Sequence, residues 1–400
     1  MKNIPVTHQF DLVIAGGGAA GLAAAVQAGL LLKDSSAACL PRVALIEKKE
    51  VPGKKLSATG NGRCNLSNEA CTEREEVDSF FDCLGLLTRT DEAGRMYPYS
   101  EEAGEVTSLL TETARDLHTE IITGCQISRV LSGADGGFLL EANGPSGTFG
   151  IRCRKLLLSM GGKSYSAFGT TGDGYGIARR LGHTVTRLAP SLVPVQVQEE
   201  LNPLAGTRAK AKAVLLRCGE VVAEEEGEVQ FNRDCISGIC IMNLSRLLVL
   251  NPEKKFEEAF AEYELSLDLI PEYSKEELLE VLRCKPAEKM LQGLIRKKLA
   301  AYIQQKAENP AEIVRILKDL RFTVTGTKGW NDAQVTRGGV VLDEVNPETM
   351  ESKILPGLYF AGEILDYDGP CGGFNLHFAW ESGIRAGKAM AAATLGAEAA

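Results

Sequence analysis

Residues 12–25 read LVIAGGGAAGLAAA, residues 43–49 read VALIEKK, and residues 53–65 read GKKLSATGNGRCN. Leu12 to Ala15 is the unbroken apolar run of a parallel strand buried on both faces. Gly16, Gly18 and Gly21 follow at the G-x-G-x-x-G spacing, and Leu22 to Leu32 reads as the next helix. The first glycine permits a tight turn and the second lets the backbone approach a pyrophosphate. The third brings helix and strand together, and the helix N-terminus favours negative charge. A second strand, Arg42 to Ile46, ends at Glu47, whose carboxylate can accept hydrogen bonds from ribose hydroxyls. A glycine triplet alone is weak evidence. Strand, glycines, helix, strand and acid in succession specify a Rossmann-like α/β domain that holds a dinucleotide.

The rest of the composition narrows the class. A chain of 400 residues with 44% hydrophobic side chains can bury the cores of two or three domains. Its net charge of −9 disfavours a nucleic-acid or membrane-surface role. No apolar run approaches the roughly 20 residues that span a bilayer. Asp11 and the glycines interrupt the N-terminal stretch where a signal peptide would be continuously apolar. Eleven cysteines without C-x-x-C spacing fit reduced thiols in a cytoplasmic protein, Cys235 and Cys240 included. Four scattered histidines give no metal-ligand pattern.

Along the chain, Glu101 to Leu117 reads as an amphipathic helix, and Glu120 to Val130, Phe138 to Glu141 and Arg154 to Ser159 read as strands. Gly172 to Gly174 open a helix ending near Leu181, with Gly182 just beyond it and Asp173 as its expected cap. From about Ser191 the texture changes to short strands: Val193 to Gln198, Ala211 to Arg217, Glu220 to Glu224, Glu228 to Phe231 and Glu264 to Ile270. A helical segment follows. Ser274 with Glu277 forms a capping box, Ala287 to Lys306 has helical spacing, and Asn309 with Pro310 makes an N-cap pair. Leu358 to Ala361 is again a buried strand, and Phe374 to Ala393 the last helix. The expected organisation is a discontinuous α/β domain, residues 1–190 and 335–400. A β-barrel-like substrate domain covers 191–270 and 321–334, and a small helical cap 271–320.

Three further glycine clusters stand at strand ends: Gly60 with Gly62, Gly161 with Gly162, and Gly362 followed by Gly372 and Gly373. Ligands of open α/β sheets bind at the carboxyl ends of strands, so four such turns suit a long, resident cofactor better than a visiting nicotinamide. In PGLYFAGE (356–363) a strand delivers a glycine and then an acid suited to a ribityl chain. The helix behind Gly372 and Gly373 could turn its N-terminus to the edge of a flavin that becomes negative on reduction.

At these residues the chain resembles the BaiN-like family of FAD-dependent flavoproteins, also called the YhiN family, of which aminoacetone oxidase is a relative. The resemblance is carried along most of the chain by seven segments in family order. These are TGNGRCNLSN (59–68), GRMYPYS (94–100), GGKSYSAFGTTGDGYGIARRLGH (161–183), SLVPV (191–195), QVTRGGV (334–340), ETMESKILPGLYFAGEILD (348–366) and GGFNLHFAWESG (372–383). It implies FAD in the outer domain, with an inserted barrel-like domain and a helical cap over the isoalloxazine. It also implies that Gly16, Gly18, Ala19, Ala20 and Gly21 hold the pyrophosphate and that Glu47 holds the adenosine ribose, with Lys48 and Lys55 on the adenine and phosphate side. Thr59, Gly60, Asn61, Gly62, Arg63 and Cys64 line the flavin, and Ile127 lies on the strand whose backbone meets the adenine. Gly161 and Gly162 also bind the cofactor, Gly362 and Glu363 meet the ribityl chain, and Gly372, Gly373, Phe374, Asn375 and Leu376 lie at the pyrimidine end. The sequence departs from the family at Ser159 and Met160, where a threonine or an alanine-threonine pair is usual before the glycines. It departs again at FNRDCISG (231–238), which lacks the family's histidine and offers Arg233 instead.

Three residues are catalytic candidates, each with a plainer alternative. Arg63 either anchors a substrate carboxylate or the flavin edge, or bridges the TGNGRCN turn to the helix. Tyr165 either donates a proton or packs. His377 either donates a proton or stays neutral at a helix N-terminus, where its charged form is disfavoured. Cys64 reads more simply as a small buried residue than as a reactive thiolate.

The expected activity is hydride transfer between flavin N5 and a small organic substrate. One form is NAD(P)H-linked reduction of an activated double bond such as a bile-acid or steroid enone; the other is amine oxidation yielding peroxide. A nicotinamide would be a transient donor, because no second dinucleotide fingerprint is present. A flavin-dependent tRNA-modifying protein and a binding protein that has lost its flavin are the rival classes. The acidic charge speaks against the first, and four intact glycine clusters against the second.

Overall fold

The computed structural model describes residues 5–35, 40–133, 136–249 and 256–398. The chain divides into two compact units, Met1–Ala189 with Val335–Ala400, and Pro190–Gln334.

The first unit is built on strands β1 (Val6–Ala15), β2 (Val43–Ile46), β3 (Glu120–Ile122), β4 (Gln126–Ser132), β5 (Phe138–Gly144), β6 (Gly147–Leu158) and β7 (Leu358–Phe360). Five of them run parallel in the order β3-β2-β1-β6-β7, registered by Ala44↔Glu120, Ile14↔Leu45, Ile14↔Leu157 and Leu157↔Tyr359. The centre of this sheet is dry: Leu12, Val13, Ile14, Ala15 and Leu156 to Leu158 are fully buried, as the apolar runs require. Helix α1 (Ala19–Lys33) makes the β1–β2 crossover, α2 (Ala103–Asp116) precedes β3, and α3 (Asp173–Arg180) follows β6. The last helix, α4 (Phe374–Glu398), packs on α1 so closely that a Cβ at Gly383 or Gly387 would overlap the carbonyls of Ala20 and Ala24. The Rossmann-like architecture is the expected one.

The run Glu120 to Val130, expected as one strand, is two. Gly124, at φ +64°, turns the chain between β3 and β4, and the amides of Gly124 and Cys125 bond the Lys49 and Glu47 carbonyls. The pattern conceals the turn because strand-like residues, Ile121 and Ile122 before it and Ile127 and Val130 after it, continue on both sides. β4 then joins the antiparallel meander β4-β5-β6.

In the second unit six strands close an antiparallel barrel in the order Val195–Val197, Ile236–Ser237, Glu220–Phe231, Thr207–Arg217, Tyr263–Asp268 and Leu320–Thr327. The expected break at residues 225–227 is absent, and Glu220–Phe231 is one strand. Its period of two turns glutamates outward, where Glu224 meets Lys212 at 2.6 Å and Glu228 meets Arg208 at 3.1 Å. Helices Lys275–Arg283, Lys297–Gln304 and Pro310–Lys318 bury Leu282, Ile303 and Leu317 in the same core as Phe231, Leu265 and Phe322. Each such burial contributes about 1.5–3 kcal/mol. The Ser274 capping box and the Asn309 cap both form. The helix expected over Ala287 to Lys306 is interrupted by a left-handed Gly293 and begins only at Lys297.

Candidate functional site

The fingerprint turn forms where β1 ends. A Cβ at Gly16 would overlap the Ser159 carbonyl, and one at Gly21 the Gly16 carbonyl, so both glycines serve close backbone packing. Gly18 differs: it caps α1 in extended conformation, and a Cβ there would meet nothing within 4 Å. The strand, the packed glycines and the open face beside a helix N-terminus together form a cradle of the kind that admits a pyrophosphate. Ser159 braces it, its hydroxyl reaching the carbonyls of Ala15 and Gly16 at 3.1 Å each.

Glu47 faces this turn. One carboxylate oxygen accepts from the Gly17 amide at 2.8 Å and the other from the Lys49 amide at 2.8 Å. The Lys48 ammonium reaches Asp173 at 2.8 Å and the Thr171 hydroxyl at 2.7 Å, and Gln126 donates to the same aspartate. Burial alone would raise the Asp173 carboxyl, but these partners outweigh it and hold the group below the usual carboxylate range. Asp173 was expected to cap α3; instead Gly172 occupies the cap position, and the aspartate ties the helix start to Lys48, just beyond β2, and to Gln126 on β4. Ile127 lies on β4 with its side chain in the core and its backbone paired with Ala142.

Lys55 lies further along the second glycine turn and bonds Glu363 at 2.7 Å and the Ser164 hydroxyl at 2.9 Å. The other Glu363 oxygen accepts from Ser164 Oγ at 2.9 Å and the Thr336 amide at 2.8 Å. The Tyr175 phenol donates to the Glu363 carbonyl, and burial, with the nearby carboxylate, keeps it protonated. Lys55 and Glu363, expected at different parts of the cofactor, thus meet each other.

The segment Thr59 to Cys64 is conformationally unusual. Gly60, Asn61, Gly62 and Cys64 all take left-handed backbone angles, a strain that non-glycine residues adopt where surroundings enforce it. Arg63 remains 44% exposed, its guanidinium 4.6 Å from the Tyr97 ring centre and 4.0 Å from Glu101. Glu101 holds Arg89 more tightly, at 2.7 Å, so one carboxylate faces two guanidiniums. Cys64 is fully buried, and burial pushes its thiol up to about 12. Tyr165, also left-handed, is partly exposed with its ring edge-on to Phe168 at 5.7 Å.

At the start of α4, a Cβ at Gly373 would overlap the Ser67 carbonyl, and the Gly372 carbonyl accepts from Asn68 at 2.9 Å. Asn375 closes the preceding loop, accepting from the Gly369 amide at 2.8 Å and donating to its carbonyl at 2.8 Å. Phe374 and Leu376 are half-buried. Both ring nitrogens of His377 are engaged, Nδ1 with Ser67 Oγ at 2.8 Å and Nε2 with the Thr72 carbonyl at 2.9 Å. Since Nε2 must donate to that carbonyl, Nδ1 accepts, and the ring is a neutral brace. Burial holds its pKa below the ordinary histidine value.

The second, third and fourth glycine clusters are therefore joined through Lys55, Ser164, Thr336 and Glu363. Ser164, Tyr175 and Thr336 carry much of this network and Ser67 braces His377, yet sequence reasoning gave them no role. Their partners are up to 310 residues distant, and only family-like segments around them marked the positions. Among the described residues no group of three or more His, Cys, Asp or Glu side chains could hold a metal ion. No helix among them is long and apolar enough to cross a membrane.

Comparison with known proteins gives the following. The family model described as HI0933-like protein Rossmann domain matches residues 72–389. A 3-dehydro-bile acid delta(4,6)-reductase of Clostridium scindens is 34% identical, over 94% of this chain and 98% of its own length. A ribosomal RNA dihydrouridine synthase of Escherichia coli is 28% identical, over 94% and 96% respectively. Among solved structures, the 3-ketosteroid-Δ4-(5α)-dehydrogenase of Rhodococcus jostii shares the fold, with a TM-score of 0.52, 15% identity and 98% of each chain covered.

Proposed function

The chain belongs to the HI0933-like family of Rossmann FAD-binding proteins and is an FAD-dependent oxidoreductase; from that premise we propose that it reduces a carbon–carbon double bond conjugated to a carbonyl in a small organic substrate. The observation that carries the reading is the near-full-length similarity to the bile-acid reductase. The name of the RNA-modifying relative describes kindred chemistry, since dihydrouridine is uridine with its ring double bond, conjugated to a carbonyl, saturated. Charge favours the small organic substrate over RNA. RNA-binding surfaces are basic, whereas this chain carries −9 and turns glutamates outward along Glu220–Phe231.

The residues present fit FAD. Gly16, Gly18, Ala19, Ala20 and Gly21 would hold its pyrophosphate at the start of α1, with Glu47 toward the adenosine ribose. Thr59 to Cys64 and Gly372 to Leu376 would flank the isoalloxazine. When bound, FAD supplies hydride chemistry at its N5. Arg63 draws electron density onto the substrate's carbonyl oxygen and so makes the β-carbon electrophilic; its seat on Tyr97 keeps the fork oriented. Tyr165 donates the proton to the α-carbon, a task for which its hydroxyl is the better candidate because His377 has no nitrogen to offer. A nicotinamide serves as a transient reductant.

The test is spectroscopic. The purified protein should show a flavin absorbance that NADH or NADPH bleaches without oxygen. A 3-oxo-Δ4 steroid acid should then be consumed with matching loss of reduced nicotinamide. Peroxide formation from amines with no enone turnover would place the protein among oxidases, and turnover of unmodified ribosomal RNA alone would place it among RNA-modifying enzymes.

A further inference from the structure

Lys55 and Glu363 lie 308 residues apart in the chain, yet they tie the second glycine turn to the fourth. Ser164, from the third cluster, bridges them, with its hydroxyl accepting from Lys55 and donating to Glu363. Thr336 completes the knot. Its amide donates to Glu363, and its hydroxyl accepts from the amides of Lys163 at 2.7 Å and Ser164 at 3.2 Å. Gly162 shows how tight the assembly is, because a Cβ there would overlap the Thr336 hydroxyl and come within 2.6 Å of the Glu363 carboxylate. A carboxylate offers about four lone-pair positions. Here three donors already occupy Glu363, and the ion pair leaves no net charge.

We propose that Lys55 and Glu363 are a positioning pair that locks the second, third and fourth glycine turns together before the cofactor arrives, so that Glu363 acts on FAD by shaping the site, not as an independent ligand. This rests on the FAD reading above and adds to it the way the site is built. Removing one partner of such a pair leaves the other without its counter-charge and frees the turns to move apart. Cofactor affinity then falls because the ordering once present in the apoprotein must accompany binding.

The experiment measures FAD binding to apoprotein by quenching of flavin fluorescence, together with the melting temperature of the apoprotein. Lys55→Met and Glu363→Gln should each weaken FAD binding roughly 10- to 100-fold, the range for losing a hydrogen bond to a charged group. Each should also lower the apoprotein melting temperature. The double variant should lose no more than the worse single one, which is the signature of coupled residues, and Lys55→Arg should recover most of the affinity. If Lys55→Met binds FAD as wild type does while Glu363→Gln does not, or if the two losses multiply, Glu363 contacts the cofactor directly and the proposal is wrong. Should either variant fail to fold, Ser164→Ala removes the bridge alone and must show the same paired losses. A wild-type apoprotein that binds no FAD would overturn the flavoprotein reading itself, an outcome distinct from uncoupled variants on a protein that binds it.

Discussion

Ser67 Oγ lies 2.8 Å from His377 Nδ1, joining the loop after the TGNGRCN turn to the first turn of the last helix. The other ring nitrogen meets the Thr72 carbonyl, and burial is the main reason that the ring resists protonation. His183 is built alike. It lies between Glu344 at 3.0 Å and Ser352 at 2.8 Å, and burial again lowers its pKa more than the glutamate raises it.

These two rings set a pH dependence. In the unfolded chain both histidines titrate near about 6.5, and in the folded protein lower. Between those values the unfolded state binds more protons, so stability is complete above about pH 6.5 and declines as the pH falls. The slope is at most about 1.4 kcal/mol per pH unit for each histidine. Glu381, which burial raises, works in the opposite direction at lower pH. Melting temperatures at pH 7.5 and 5.5 should show the decline, and His377→Asn should flatten it while lowering the value at pH 7.5. An unchanged slope in that variant would remove His377 from the account.

The two kinds of glycine in the fingerprint should respond differently to alanine. Gly18→Ala places a methyl group in open space, at an N-cap cost below about 1 kcal/mol. The apoprotein should fold, while FAD binding weakens by about tenfold or more as the methyl group meets the pyrophosphate. Gly21→Ala drives a methyl group into the Gly16 carbonyl and should prevent folding. Calorimetry of both apoproteins, with FAD titration of the first, checks the contrast.

Cys64 should be chemically silent. With its thiol pushed up to about 12 and no exposed surface, it should resist alkylation at pH 8 in the native protein. The bound flavin should lack the long-wavelength band of a thiolate charge-transfer pair, and Cys64→Ala should leave the visible spectrum unchanged.

Arg63 and Arg89 share Glu101, but only Arg63 belongs to the glycine turn. Arg63→Met should lower kcat/KM for an enone by about 100-fold, typical for loss of an oxyanion-stabilising donor, with little change in melting temperature. Arg89→Met should lower it far less. Equal effects would mean that the cluster is structural.

The sequence made some levels of this protein readable and hid others. The buried runs Leu12–Ala15 and Leu358–Ala361, the strand–glycine–helix turn, and the caps at Ser274 and Asn309 are local signals, and each stands in the fold as read. The turn at Gly124 and the continuity of Glu220–Phe231 were hidden because tertiary pairing decides them: strand-like residues flank the first on both sides, and charged residues occupy the second. The knot around Glu363 was hidden for a stronger reason. Its members come from four separate segments, and no local pattern records which distant lysine or serine a carboxylate will meet. His377 stood out beside a glycine-rich helix start, but its two partners, Ser67 and Thr72, give it a bracing role.

The most direct measurement reduces the bound flavin without oxygen, removes excess reductant, and mixes the protein with a 3-oxo-Δ4 steroid acid in a stopped-flow spectrometer. Rapid return of the oxidised flavin spectrum, with one saturated product formed per flavin, is the predicted result. A flavin that stays reduced in the presence of enones and is reoxidised only by oxygen would contradict the account.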